Sequence, residues 1–134
     1  MNTHKTILVV EDDADQRELI KLHLLNAGYM VRGAANGLEA AASCLQLTPD
    51  LVISDVHMPR MSGFDMIRIL KSEPAMKDIP VIFLTVDEAA RNQGEDLGAI
   101  EYLAKPYKPA SLLMLVGKHL GTKKKPAGQS KKAS

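Results

Sequence analysis

An α/β fold built on a doubly wound, five-stranded parallel sheet is predicted for this chain of 134 residues by two features of its sequence. Short apolar runs alternate five times with amphipathic stretches, and polar side chains stand directly after four of those runs. Five strand-then-helix units imply right-handed crossovers, which set the strands parallel and cover both faces of the sheet. Composition agrees. Hydrophobic residues make up 46% and charged residues 25%, as in an ordinary globular domain. A chain of this length buries most of its unfolded surface and needs no disulfide staple.

The elements follow in order. Thr6–Val10 is a β-branched run that ends at acidic residues, the pattern of a strand buried on both faces. Ala14–Ala27 has helical spacing at Leu19, Ile20, Leu24 and Ala27, and Gly28 supplies a C-terminal stop. Tyr29–Ala34 is the second strand. Leu38–Leu47 is a helix closed by Thr48-Pro49, and Leu51–Ser54 is a short buried strand. Ser62–Lys71 is a helix with Ser62 as N-cap and Asp65 three residues on, close to a capping box. Pro80–Thr85 and Ile100–Ala104 are the last two strands. Pro109–Leu120 is the final helix, with proline at its first position. The weakest unit is Asp87–Asp96. It is polar, lacks an apolar stripe and contains Gly94, which costs a helix about 1 kcal/mol relative to alanine, so a short or irregular helix is expected there.

The formal charge of +1 hides an asymmetry. Residues 122–134 hold five of the 17 basic groups and no acid, so residues 1–121 carry 12 basic and 16 acidic groups, a net of −4. The expected division is therefore a folded body over 1–121 and a basic, flexible tail over 122–134, either a solvated end or an anchor for an acidic partner. A uniformly basic nucleic-acid-binding domain is excluded. Nothing after Leu120 has the content of a helix-turn-helix, so direct DNA binding is not expected. No apolar run reaches the length of a membrane span and Met1–Lys5 does not open a signal peptide, so the chain reads as cytoplasmic. Cys44, the single cysteine, lies in an alanine-rich helical stretch and reads as a core residue. Gly117-Lys118 lacks the upstream glycine of a phosphate-cradling P-loop.

In an open parallel sheet, chemistry gathers outside the carboxyl ends of the strands. Glu11, Asp12, Asp13, Asp55, Thr85 and Lys105 stand there, delivered by four different strands. Carboxylates crowded in one cleft repel one another and bind protons more tightly unless a cation joins them. A hard divalent ion suits them, and Mg²⁺ fits best because it keeps several waters and takes only one or two carboxylates plus phosphate oxygens. Lys105 adds a fixed positive charge and Thr85 a hydroxyl donor. Such a set can support phosphoryl transfer onto a carboxylate nucleophile.

Four segments taken together carry a family resemblance. They are Ile7-Leu8-Val9-Val10-Glu11-Asp12-Asp13; Asp55-Val56-His57-Met58-Pro59 with Gly63 behind it; Thr85; and Tyr102-Leu103-Ala104-Lys105-Pro106. Over about residues 5–120 the chain resembles the response-regulator receiver domains of two-component signalling. The resemblance implies a flavodoxin-like fold with strand order 2-1-3-4-5. It implies Asp55 as the phosphoacceptor, fed by a sensor histidine kinase or a phosphotransfer protein. Asp12 and Asp55 would bind Mg²⁺, with the His57 backbone carbonyl as a further ligand and Glu11 acting through water. Thr85 and Lys105 would contact the phosphoryl group, Thr85 and Tyr102 would form the switch, and Lys105-Pro106 would be cis. The output partner would dock on the face of the fourth helix, fifth strand and fifth helix. The protein would be no turnover enzyme, only a Mg²⁺-dependent self-phosphorylating switch with slow autodephosphorylation.

Plainer readings stand beside these. Glu11-Asp12-Asp13 alone would suit a helix N-terminus, and Asp13 is assigned as the helix cap rather than a ligand. A lone imidazole among carboxylates suits Zn²⁺ better than Mg²⁺, so the His57 side chain is expected to be exposed. Tyr102 could be simple packing. Two departures from the family pattern stand out: the Thr85–Gly98 stretch is about two residues short, and Val86 follows Thr85 where relatives often have a small residue that leaves the site open. The competing function is a Mg²⁺-dependent aspartyl-phosphate phosphohydrolase. That enzyme needs an acid two residues past its nucleophile, where this chain has His57.

Overall fold

The computed structural model of the chain describes residues 4–87 and 89–121. The basic-tail reading, residues 122–134, lies outside them. Ten elements alternate: β1 (Thr6–Val10), α1 (Ala14–Asn26), β2 (Met30–Ala34), α2 (Gly37–Gln46), β3 (Leu51–Asp55), α3 (Gly63–Ser72), β4 (Val81–Thr85), α4 (Ala90–Asp96), β5 (Glu101–Ala104) and α5 (Pro109–Leu120). The sheet is parallel throughout, with order β2-β1-β3-β4-β5. The fold class and strand order are those expected.

The continuous apolar runs have a simple cause. Successive side chains of a strand point to opposite faces, so a strand covered on both sides must be apolar at every position. Leu8 and Val10 of β1, Val52 of β3 and Val81 and Phe83 of β4 join one core with α2, α3 and Ala90 of α4. Ile7, Val9, Ile53, Ile82 and Leu84 join the other core with Ile20 and Leu24 of α1 and Leu112 and Val116 of α5. Cys44 is buried in the first core, as its surroundings in the sequence imply. Burying side chains of this size contributes on the order of 2 kcal/mol each.

Local signals set the ends of the helices. Asp13 accepts from Gln16 N–H at 2.9 Å, Asn36 from Glu39 N–H at 2.9 Å and Ser62 from Asp65 N–H at 3.1 Å. Each cap satisfies one of the orphan donors of a first turn. The Asp65 carboxylate turns to Arg68 instead, at 2.9 Å, so no reciprocal box forms. Gly28 takes φ 101° just past α1, a left-handed conformation open to glycine.

Two expectations need correction. Leu19 is 54% exposed, and the buried residues of α1 are Ile20 and Leu24, with Ala27 at its end packed partly buried on the same core. Spacing by three and four picked out a stripe wider than the face that meets the sheet. The helix α4 is short, as expected, with seven residues and no side-chain cap, but Gly94 is no interruption. Ala90 and Gly94, one turn apart, are its buried residues. A Cβ on Gly94 would stand 3.0 Å from the Phe83 ring. The stripe is made of small residues, so hydrophobic spacing did not reveal it.

The α1 correction makes a stability prediction. Leu24→Ala should cost about 3 kcal/mol through the cavity it leaves, and Leu19→Ala less than about 0.5 kcal/mol. Urea unfolding of the two variants checks this, and equal costs would restore Leu19 to the core.

Candidate functional site

Register brings the site together. In parallel pairing Val10 lies against Ser54 and Asp55 against Leu84, so the ends of β1, β3 and β4 form one rim. Glu11, Asp12 and Asp55 converge there, with carboxylate oxygens within 4.8 Å of one another. Glu11 is buried, Asp12 exposed and Asp55 between the two. Lys105, just past β5, reaches into the cluster. Its ammonium donates to Glu11 Oε1 at 3.1 Å, Asp55 Oδ2 at 3.1 Å and Gln16 Oε1 at 3.2 Å.

The electrostatics are asymmetric. Glu11 is 2% exposed, and desolvation pushes its carboxyl above the ordinary range despite the Asp13 N–H and the Lys105 ammonium. Burial pulls Lys105 down, but its hydrogen bonds to Glu11 and Asp55 and their charges outweigh this, and its pKa ends higher than usual. The ammonium therefore stays charged, while burial makes the Glu11 carboxyl hold its proton more tightly than usual. The three carboxylates are hard oxygen donors, which fit Mg²⁺. Asp12, Asp55 and Glu11 are the side chains that would hold it.

The backbone around Asp55 is held from below. Asp55 Oδ1 accepts from Val56 N–H at 2.7 Å, and Gly63 N–H donates to Val56 O at 2.8 Å. A Cβ on Gly63 would lie 2.5 Å from the Asp55 carbonyl oxygen and 2.8 Å from Phe83. Only glycine lets the start of α3 come this close. Arg17 closes the other side by donating to Glu11 O at 2.7 Å.

The remaining positions are placed as follows. Asp13 caps α1. Thr85 is fully buried, and its hydroxyl accepts from Asp87 N–H at 3.1 Å. Tyr102 donates through its hydroxyl to Asp87 O at 2.7 Å and packs half-buried against the first core, with the Arg91 guanidinium 5.2 Å from its ring centroid. The His57 side chain is 62% exposed and meets Asp87 Oδ2 at 3.1 Å. The Lys105-Pro106 peptide is cis. Val86 is 74% exposed at the edge of the rim.

Two participants went unnoticed in the sequence. Asp87 ties His57, Thr85 and Tyr102 together, and Gln16 supplies the third acceptor to Lys105. Their position offered the only signal: Asp87 is two residues past Thr85, and Gln16 sits in the first turn after the cap at Asp13.

The sequence profile described as "Response regulator receiver domain" matches residues 7–116. Over 111 residues the chain is 40% identical to the phosphate regulon transcriptional regulatory protein PhoB of Pseudomonas aeruginosa, covering 81% of this chain and 48% of that protein. The chain spans about half the length of the curated relatives it matches. Among solved structures it resembles chemotaxis protein CheY4 of Vibrio cholerae, with TM-score 0.83 and 32% identity over 87% of this chain and 99% of that one. It also resembles the receiver domain of a sensor histidine kinase from Pseudomonas aeruginosa, solved with a magnesium ion in its active-site cleft. That likeness has TM-score 0.82 and 28% identity over 89% of this chain and 99% of the other.

Proposed function

Because this chain belongs to the response regulator receiver domain family of two-component systems, we propose that it accepts a phosphoryl group on Asp55 in a Mg²⁺-dependent reaction. The donor is a sensor histidine kinase or a phosphotransfer protein. The observation that carries this reading is the meeting of Glu11, Asp12 and Asp55 with the Lys105 ammonium at the ends of three strands, β1, β3 and β5.

Each residue has a part. Asp55 Oδ2, the oxygen facing Lys105, is the nucleophile. It attacks phosphorus in line with the donor oxygen or nitrogen, which leaves with the electron pair of the broken bond. Lys105 draws off charge gathering on the phosphoryl oxygens, in a cleft where such contacts are stronger than in water. Mg²⁺, when bound, neutralises further charge on the same oxygens. Asp12 and Asp55 would hold it directly and Glu11 through water, with the His57 carbonyl as the further protein ligand. Thr85 donates its hydroxyl to the phosphoryl group.

The switch runs through Asp87. A Thr85 hydroxyl drawn to the phosphoryl group gives up the Asp87 N–H, and Tyr102 hangs from the carbonyl of the same residue. The charge added at Asp55, close to two negative units, is thereby passed to the face of α4, β5 and α5. That face carries Arg91 over Tyr102 and an exposed Met114. Lys118 and His119 of α5 fasten it to Glu101 of β5 at 2.9 and 3.0 Å and hold the Glu101 carboxyl below its ordinary range. An output partner docks there. No helix among the described residues is long and apolar enough to cross a membrane.

Incubation with acetyl phosphate and Mg²⁺ should add one phosphoryl group per chain, seen by intact mass, and Asp55→Asn should abolish it. Release of many equivalents of phosphate per chain would favour the phosphohydrolase reading instead. For the metal, Asp12→Ala should remove most Mg²⁺ affinity in an NMR titration. Asp13→Ala should leave that affinity intact and cost about 1 kcal/mol of stability as a lost cap. The reverse order would show the pair to be misassigned.

A further inference from the structure

We propose that Gln16 is a positioning residue for phosphoryl binding, acting through Lys105. The proposal rests on the phosphoacceptor reading of Asp55. An ammonium has three N–H bonds, and Lys105 divides them among Glu11 Oε1, Asp55 Oδ2 and Gln16 Oε1 at 3.1, 3.1 and 3.2 Å. Two of those acceptors are carboxylates of the cation cluster, whose oxygens are wanted elsewhere once a cation or a phosphoryl group is bound. Gln16 is the acceptor with no charge to answer for. It keeps its hold on Lys105 while the carboxylates turn.

The placement of Gln16 is built into the strand-to-helix junction. Its backbone N–H donates to the Asp13 cap at 2.9 Å, and Asp13 N–H donates to Glu11 Oε2 at 3.1 Å. The first turn of α1 is thus tied to the carboxylate that also holds Lys105, and the Gln16 side chain is delivered from that turn. Its chemistry matters as well. A glutamate here would add a fourth carboxylate to the cleft and grip the ammonium by charge, in competition with the incoming phosphoryl oxygens. A methionine would fill a similar volume and accept almost nothing. Glutamine gives the ammonium a direction at no charge.

The test is a double-mutant cycle read as beryllofluoride affinity at saturating Mg²⁺, with Mg²⁺ affinity measured separately. Gln16→Met should weaken beryllofluoride binding about tenfold, the scale of one hydrogen bond from a charged donor. Mg²⁺ affinity should stay within about twofold, because the Gln16 side chain carries no charge and bonds to Lys105 rather than to a carboxylate that would hold the metal. In a Lys105→Ala background, Gln16→Met should change beryllofluoride affinity by less than about twofold. An equal loss in both backgrounds, or no loss beside Lys105, overturns the assignment. Failure of the unsubstituted chain to bind beryllofluoride overturns the phosphoacceptor reading itself and is distinguished by appearing before any substitution at position 16.

Discussion

Mutual repulsion among Glu11, Asp12 and Asp55 is the constraint on which the rest of this structure turns. Three carboxylates lie within 4.8 Å of one another at the end of the sheet, and positive charge nearby offsets their repulsion. Lys105 supplies part of it, from a different strand, through contacts at 3.1 Å to Glu11 and Asp55. Burial raises the Glu11 pKa even with that ammonium in contact. Hard oxygen donors gathered in this way suit a divalent cation such as Mg²⁺, which the proposed phosphoryl transfer uses.

The body of the fold exists to hold this electrostatically unfavourable arrangement still. Cores on both faces of the sheet fix the four strand ends, and parallel register fixes their relative height. Close approach at Gly63 braces the loop after Asp55. The loop after β4 is attached more lightly. Asp87 holds it to Thr85 and Tyr102 through single hydrogen bonds, and the seven-residue α4 that follows lacks a side-chain cap. In the proposed function, the rigid parts carry the acceptor and the lightly held part carries the response.

Much of this was legible in the sequence, for a physical reason. Strands buried on both faces must be apolar throughout, so the polar residues at their ends stand out: Glu11, Asp12, Asp55, Thr85 and Lys105 are visible as breaks in apolar runs. What stayed hidden depends on tertiary geometry. Leu19 fits a helical stripe as well as Ile20 does, and only the angle of α1 against the sheet decides between them. Ala90 and Gly94 form a contact face too small to register as hydrophobic. Gln16 and Asp87 look like ordinary surface polar residues, and gain their roles from Lys105 some ninety positions away and from Tyr102 fifteen positions away.

The central claim is that Asp55 forms the acyl phosphate, and borohydride reduction tests it most directly. An acyl phosphate on aspartate is reduced to the alcohol, which leaves homoserine at the modified position. After acetyl phosphate and Mg²⁺, peptide mass spectrometry should find homoserine at position 55 and nowhere else. Homoserine at Asp12 or Asp13, or a fully phosphorylated chain that yields none, would contradict the account.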